Sequence, residues 1–236
     1  MEHQRARAKQ AETLAGIAAE DYVKVIYSHT EWQPEPITGS ELAARLGLSP
    51  SSVTEMVRKL GRGGLVEHVP YGAITLTVAG TALALRMLRR HRLIETWLVR
   101  SCGYDWDEVH DEAEVLEHAV SDRLLEVIAG QLGHPVRDPH GDPIPAADGT
   151  IVRPDALLLR EAPDGATGSV VRISDRDPAL LRYLTAEAVA VDAGVTVIGR
   201  RPFGGALAVR VDGADGASRY LDLGAGAASS IWISIA

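Results

Sequence analysis

Residues 40–60, with the sequence SELAARLGLSPSSVTEMVRKL, predict a helix-turn-helix. A first helix over residues 40–46 ends at Gly47. Ser49 is typical of a helix cap and Pro50 of a first helical position, so a second helix follows. The predicted core face of this second helix consists of Val53, Met56, Val57 and Leu60. In such a motif the second helix enters the major groove of DNA.

The flanking sequence extends this motif to a winged helix. An amphipathic helix is predicted over residues 12–29. Downstream, residues 65–69 and 73–77 are short β-rich runs around a Pro-Tyr-Gly turn, a pattern that predicts a hairpin. We therefore predict a winged helix-turn-helix DNA-binding domain over residues 1–80.

The start of the second helix is the predicted contact with double-stranded DNA. Serine and threonine discriminate bases poorly, so DNA shape is expected to contribute to specificity. The alternative is a capped helix with a solvated face, and capping is compatible with DNA contact. The predicted contact residues are Ser49, Ser51, Ser52, Thr54, Glu55, Arg58 and Lys59.

A second stretch, residues 110–118 with the sequence HDEAEVLEH, suits a metal ion. Read as one helix, it places four polar side chains on one face: His110, Glu114, Glu117 and His118. Upstream, His91 and Glu95 repeat the four-residue spacing on a separate helix. These side chains either form solvated charged faces or bind a cation, and two clusters of the same ligand type favour metal binding.

The remaining pattern predicts a helical domain and then a β domain. Long helices are predicted up to about residue 101 and over residues 107–132, with apolar stripes wide enough to face a second subunit. Residues 133–164 are rich in Pro, Gly and Asp, which indicates a linker. Period-two alternation then predicts about five strands of a small SH3-like barrel: residues 170–174, 189–191, 195–198, 207–211 and 231–233.

The predicted fold is therefore mainly α with a β C-terminal domain. A helical metal-binding and dimerisation domain, with the linker, is expected over residues 81–150. An SH3-like β-barrel, similar to the FeoA domain, is expected over residues 165–236.

Composition restricts the class of protein. The chain has 236 residues, a net charge of −8 and a single cysteine, which excludes a disulfide framework and multi-cysteine metal sites. No run approaches the ~18–20 apolar residues of a membrane span and no signal peptide is evident, so we expect a cytoplasmic protein without a membrane partner. Residues 41–100 hold nine basic and four acidic residues, whereas residues 105–126 hold nine acids and one arginine. A basic patch can meet phosphates while an acidic segment collects cations.

Two other classes of protein have requirements that this sequence can be compared with. A di-iron enzyme would need Glu-x-x-His motifs, but Val115 stands three residues before His118; a zinc protease would need His-Glu-x-x-His, which is absent. No Ser or Cys nucleophile stands in a recognisable elbow, so we expect no enzyme and no small organic substrate. The other alternative is a metal-independent winged-helix regulator, whose operator binding a chelator would not change.

The order of these parts resembles the diphtheria-toxin-repressor family of metal-dependent transcriptional regulators, over essentially the whole chain. The resemblance implies a homodimer that binds a divalent metal, then operator DNA, and represses metal-homeostasis genes. The motifs that carry it are Asp21-Tyr22, Ile26-Tyr27, Ser49-Pro50-Ser51-Ser52-Val53-Thr54, Gly64-Leu65-Val66, Arg90-His91-Arg92-Leu93, Val109-His110-Asp111-Glu112-Ala113, Glu117-His118 and Gly141-Asp142-Pro143-Ile144-Pro145.

The resemblance also implies two sets of metal ligands. Iron-responsive members have methionine at the position of Asp21 and cysteine at that of Glu114, so carboxylates at both positions resemble the manganese-responsive branch. Carboxylate and imidazole suit Mn²⁺; Fe²⁺ remains an alternative, and Zn²⁺ or Co²⁺ would substitute in vitro. The implied regulatory site is Asp21, Glu114, Glu117 and His118, and the implied ancillary site is His91, Glu95 and His110.

Two departures from the family pattern affect these sites. Short manganese regulators have a glutamate where this chain has Lys24, so their closely paired two-metal site is not expected. Longer members complete the ancillary site with a Glu and a Gln, which residues 178–183 lack; Asp175, Asp177 or water would replace them. The implied mechanism is that metal ties the first helix to the dimerisation helices, setting the recognition helices about 34–36 Å apart.

Overall fold

The computed structural model describes residues 2–69, 72–203, 205–213 and 216–235, with side chains from residue 16 onward. The chain divides into two compact units, Met1–Arg90 with Pro145–Thr150 and His91–Ile144 with Ile151–Ala236. Helices come first and a sheet-rich C-terminal domain follows, which confirms the predicted fold class. Within the described ranges, no helix is long and apolar enough to cross a membrane.

The first unit contains the predicted winged helix. Its elements are α1 (Glu2–Glu31), α2 (Gly39–Leu46), α3 (Pro50–Arg62), β1 (Val66–His68), β2 (Ile74–Leu76) and the first part of α4 (Val78–Trp97). Thr38 and Glu41 form a reciprocal capping box at the start of α2, and Gly47 ends that helix at a φ of 64°. The two strands pair antiparallel. Pro70 and Tyr71 of the predicted hairpin turn lie outside the described residues.

The second unit begins within α4, which continues as a π-helical segment, Leu98–Cys102. Two short helices follow, α5 (Val109–Leu116) and α6 (Asp122–Gln131). The prediction of one continuous helix over residues 107–132 is wrong. Ser121 has an extended backbone and its hydroxyl accepts a hydrogen bond from the Leu124 amide, so it caps a new helix.

The C-terminal domain is built on one antiparallel sheet with the strand order β3-β8-β4-β5-β6-β7. Its strands are β3 (Leu157–Leu158), β4 (Thr167–Ile173), β5 (Gly194–Arg200), β6 (Leu207–Asp212), β7 (Ser218–Leu223) and β8 (Ile231–Ile235). A 3₁₀ turn, Leu159–Glu161, and the helices α7 (Pro178–Ala186) and α8 (Ala225–Ala228) complete the domain. The register shifts within β4 and again within β5, and such bulges bend a sheet.

One of the five predicted strands is wrong. Residues 189–191 form no strand, because the Val189 amide donates to the Leu184 carbonyl and so completes the end of α7. The two edge strands, β3 and β7, were not predicted. β3 has only two residues, and Leu223 is the one fully buried residue of β7, so neither strand gives a strong apolar pattern.

Part of the predicted linker is a packed turn. The segment between α6 and β3 contains no helix or long strand, but Arg137 and Pro143 form an isolated β-bridge that closes a turn. Gly141 in this turn has a φ of 92°, and a Cβ there would lie 2.1 Å from the carbonyl oxygen of Val171. Only glycine allows this approach to β4, so the turn is fixed against the sheet.

Candidate metal centre and DNA-binding helix

Four segments of the second unit bring together the side chains of the candidate metal centre: α4, α5, the turn over residues 137–143 and the residues after β4. α4 carries His91 and Glu95 one turn apart, and α5 carries His110 and Glu114 at the same spacing. The structure therefore brings together the three residues of the implied ancillary site. A charged pair on a solvated helix face would be exposed, but His91 and Glu95 are buried, with 5% and 1% of their surface exposed.

The first cluster consists of His91, His110 and Glu114. Each offers one ligand atom, and these atoms lie within 4.8 Å of one another. Glu114 Oε1 lies 3.8 Å from His91 Nδ1 and 3.6 Å from His110 Nε2. Glu114, assigned by resemblance to the regulatory site, thus lies beside the histidines of the implied ancillary site.

A second cluster, Glu95, His140 and Asp175, adjoins the first and meets the same 4.8 Å criterion. His110 lies between the two clusters, with Nδ1 3.3 Å from Asp175 Oδ2 and 3.6 Å from Glu95 Oε1. Of the two aspartates that the sequence offered for this place, Asp175 is therefore the one that lies beside His110. Asp177 instead caps α7, since its side chain accepts hydrogen bonds from the Ala179 and Leu180 amides.

His140 is a candidate ligand that the sequence analysis missed. Its Nε2 lies 2.7 Å from the Trp106 carbonyl oxygen, and a carbonyl only accepts, so Nε2 carries the proton. Its buried Nδ1 makes no hydrogen bond to any residue that the structure describes and lies 3.9 Å from Glu95 Oε2. Metal-binding histidines commonly donate their second ring N–H to a carbonyl in this way. The sequence shows two histidines in this segment, His134 and His140, and no local signal distinguishes the buried one.

The pKa shifts in the two clusters indicate that the Glu95 and Asp175 carboxylates are ionised. Burial raises the pKa of Glu95, but the nearby imidazoles, His91 first, lower it well below its usual value. Burial also lowers the pKa of His110, but the Asp175 and Glu95 carboxylates outweigh this and raise the pKa to about 11. The pKa of Asp175 is held well below its usual value, against its own burial, chiefly by its hydrogen bond with His110. The positive charge of protonated imidazoles thus compensates the negative charge of the carboxylates. A divalent cation bound at the same positions could provide the same compensation.

Glu117 and His118 follow the last residue of α5, Leu116. Glu117 keeps a helical backbone and its amide donates to the Ala113 carbonyl, whereas His118 lies in the turn. Glu117 is fully buried, with Oε2 2.6 Å from His91 Nδ1 and Oε1 3.4 Å from His118 Nε2. Asp21, the remaining residue of the implied regulatory site, lies half-buried on α1 of the first unit.

The residues predicted to contact DNA are all exposed on α3 or at its cap. Ser49 caps the helix, because its hydroxyl accepts from the Ser52 amide at 3.2 Å. The same hydroxyl lies 2.9 Å from those of Ser51 and Ser52, and Thr54 donates to the Pro50 carbonyl. Capping and exposure therefore coincide at this end of the helix.

Comparison with known proteins shows the family. Three family models match in succession: "Iron dependent repressor, N-terminal DNA binding domain" over residues 17–74, "Iron dependent repressor, metal binding and dimerisation domain" over residues 77–146, and "FeoA domain" over residues 157–235. An iron-dependent repressor of Mycobacterium leprae is 33% identical over 159 residues, which cover 64% of this chain and 69% of that protein. The diphtheria toxin repressor of Corynebacterium diphtheriae is 35% identical over 129 residues, 55% of this chain and 57% of that protein.

Solved structures give the same result over more of the chain. A manganese-dependent transcriptional repressor in complex with manganese is 51% identical, with a TM-score of 0.87, and the match covers 92% of this chain and all of that one. The order of the matched domains and the fold agree with these relatives. The chain belongs to the diphtheria-toxin-repressor family of metal-dependent transcriptional regulators.

Proposed function

We propose that this chain is a manganese-dependent repressor that dimerises, binds divalent metal and then binds operator DNA to control metal-homeostasis genes. The observation that carries the proposal is the chemistry of the two clusters. Every ligand atom that they offer is a carboxylate oxygen or an imidazole nitrogen, the donor set that suits Mn²⁺. The manganese-dependent repressor at 51% identity supports the same metal.

The proposal assigns ligands in two groups. The clusters of the second unit would hold metal through His91, His110 and Glu114 and through Glu95, His140 and Asp175. The resemblance further assigns Asp21, Glu114, Glu117 and His118 to the regulatory site. His110 and His140 must each leave a ring nitrogen unprotonated to become ligands, so metal binding is expected to release protons.

The proposed link from metal to DNA follows from where these residues lie in the sequence. Asp21 belongs to α1 of the DNA-binding domain, while the other regulatory ligands belong to the second unit. A bound divalent cation would neutralise the carboxylates that otherwise repel one another. Metal affinity and DNA affinity are then reciprocally coupled, by an amount that is typically about 5–150-fold.

The proposed dimer is supported by exposed apolar side chains on the two short helices. Val115 on α5 is 71% exposed, and Leu124 and Val127 on α6 are each 49% exposed. These residues fall within the match to the metal-binding and dimerisation domain. We infer that a second copy of the chain covers them.

An iron(II)-dependent repressor is the second candidate function. The specific observation in its favour is the iron-dependent repressor of Mycobacterium leprae at 33% identity. Fe²⁺ also accepts oxygen and imidazole ligands, so the donor set alone does not separate the two metals.

The test is fluorescence-anisotropy titration of the full chain onto its own promoter DNA, in chelator and with Mn²⁺, Fe²⁺, Zn²⁺ or Co²⁺. We expect tight binding with Mn²⁺ that is lost in chelator and in Glu114→Ala. Asp111→Ala is the matched control, because this exposed carboxylate on α5 belongs to neither cluster and should leave binding unchanged. Activation by Fe²⁺ alone would favour the second candidate, and binding indifferent to chelator would indicate a metal-independent regulator.

A further inference from the structure

Four buried ionisable side chains lie beside the candidate metal centre without belonging to either cluster. Arg92, Asp138, Asp142 and Arg172 are exposed by 5%, 6%, 5% and 7%. A buried charge is strongly unfavourable unless it is paired and hydrogen-bonded. The four side chains must therefore be held by one another and by the backbone around them.

Asp142 is the centre of this arrangement. Its Oδ1 accepts a hydrogen bond from Arg172 Nε at 2.8 Å and lies 3.5 Å from Arg92 Nη2. Arg92 Nη1 also donates to the Pro143 carbonyl at 2.7 Å. The Arg172 guanidinium lies 4.2 Å above the centre of the Trp232 ring, a favourable cation–π contact. These contacts join α4, the turn over residues 137–143 and the sheet.

The turn itself has little freedom once it is joined in this way. Asp138 Oδ1 accepts hydrogen bonds from the amides of His140 and Asp142, each at 2.9 Å. The His140 carbonyl accepts from the Ile173 amide of β4 at 2.9 Å. The backbone on both sides of the His140 side chain is therefore fixed by contacts that involve none of its ring atoms.

The three segments that supply the Glu95–His140–Asp175 cluster each also supply one residue of this network. Arg92 precedes Glu95 by three residues on α4, Asp142 follows His140 by two in the turn, and Arg172 precedes Asp175 by three at the end of β4. We propose that Arg92 and Arg172, acting through Asp142, are positioning residues that hold the three ligands of this cluster at their spacing before metal binds. Preorganisation of this kind raises affinity because fewer groups must be ordered on binding. The inference rests on the proposed role of the cluster in metal binding.

The test compares Asp142→Asn with the unsubstituted chain by calorimetric titration of Mn²⁺, with His140→Ala as the reference that removes a proposed ligand. Asparagine keeps the shape and one acceptor oxygen but removes the charge shared by the two arginines. We expect the affinity of the His140-dependent ion to fall by about 10–100-fold, the usual effect of losing a partner just outside the ligands. Ions that still bind in His140→Ala should keep their affinity.

Spectroscopy separates positioning from mere stabilisation. With Co²⁺ at saturation, the part of the d–d absorption that His140→Ala removes should change in Asp142→Asn, because the ligand geometry has changed. Asp192→Asn is the matched control: Asp192 pairs with Arg137 of the same turn at 2.8 Å, but the pair is exposed, so neither affinity nor spectrum should change. If Asp142→Asn does not fold, as judged by circular dichroism, Arg172→Lys makes the same test.

The outcomes are distinct. A variant that melts at a lower temperature but keeps the affinity and the Co²⁺ spectrum of the parent would overturn the positioning role. If His140→Ala itself leaves Mn²⁺ stoichiometry and affinity unchanged, the assignment of this cluster under the proposed function fails, and the positioning role fails with it. Loss in Asp142→Asn together with loss in His140→Ala supports both.

Discussion

Asp175 and Asp177 stand two residues apart and perform different tasks. Asp175 belongs to the second cluster and lies beside His110 of the first, while Asp177 caps α7. The difference arises because Asp175 lies two residues after the end of β4, whereas Asp177 directly precedes the proline that begins the helix.

Substitution of the two aspartates should therefore affect different properties, Mn²⁺ binding for Asp175 and stability for Asp177. Asp175→Ala is expected to weaken Mn²⁺ binding by at least about tenfold, since it removes a proposed ligand. Asp177→Ala should instead lower the free energy of unfolding by about 0.5–2 kcal/mol through loss of the cap, with Mn²⁺ affinity unchanged. Calorimetric titration and urea denaturation of both variants check this. Mn²⁺ affinity that depends on Asp177 and not on Asp175 would contradict the assignment.

At the residue scale, helical spacing pointed to candidate ligands that share a helix and gave no sign of His140. The pairs His91–Glu95 and His110–Glu114 were visible because a four-residue spacing places side chains on one face. His140 was not, since it reaches the cluster only through the fold of an irregular turn. Its burial depends on the close approach of Gly141 to β4, which a sequence pattern does not reveal.

In α3, the predicted helix cap lies at the same end of the helix as the predicted DNA contacts. Its cap, its first proline and its core face were all predicted, and the helix begins at Pro50 as expected. The cap hydroxyl of Ser49 belongs to the exposed end that we expect to meet DNA.

Two variants separate the structural and DNA-binding roles of this helix end. Ser49→Ala should lower the free energy of unfolding by about 0.5–2 kcal/mol and weaken operator binding, because the cap is lost and the first turn frays. Ser51→Ala should weaken operator binding with little change in stability, since its exposed hydroxyl caps no amide. Urea denaturation and anisotropy measure the two effects. Equal stability of Ser49→Ala and the parent chain would show that the cap contributes little.

Element boundaries were predicted least well where one pattern continued across a break. Apolar residues recur at helical spacing on both sides of residues 117–120, so periodicity alone joined α5 to α6. The signal for the break was Ser121 followed by Asp122, a typical helix start. In the C-terminal domain, most strands inside the sheet were predicted from the alternation of apolar and polar residues. The edge strands were missed because few of their side chains are buried.

At the scale of the whole molecule, the fold class and family were predictable because several motifs occur in a fixed order along the chain. The arrangement of ligands into two adjoining clusters was not, because it depends on contacts between α4, α5, the turn and β4. Residues 91 and 175 are far apart in sequence, and no local pattern relates them.

The proposed dimer is a property of the whole molecule. It can be tested by introducing one charged residue into the proposed interface. Val115→Glu would bury an unpaired carboxylate in the proposed interface, which is expected to weaken dimerisation by at least about 1–3 kcal/mol. Val152→Glu is the matched control, because Val152 is 81% exposed and lies outside α5 and α6. Sedimentation equilibrium should show dissociation of the first variant only. Dissociation of both, or of neither, would contradict the assigned face.

α4 passes from one compact unit into the other, and residues Pro145–Thr150 return to the first unit after the chain has already entered the second. The first unit is thus made from two separate segments of the chain, and Arg89 of the first segment donates a hydrogen bond to the Pro145 carbonyl of the second. A chimera that joins this unit to another sensor domain would require both segments. A fusion made at residue 90 would cut a continuous helix and omit the second segment.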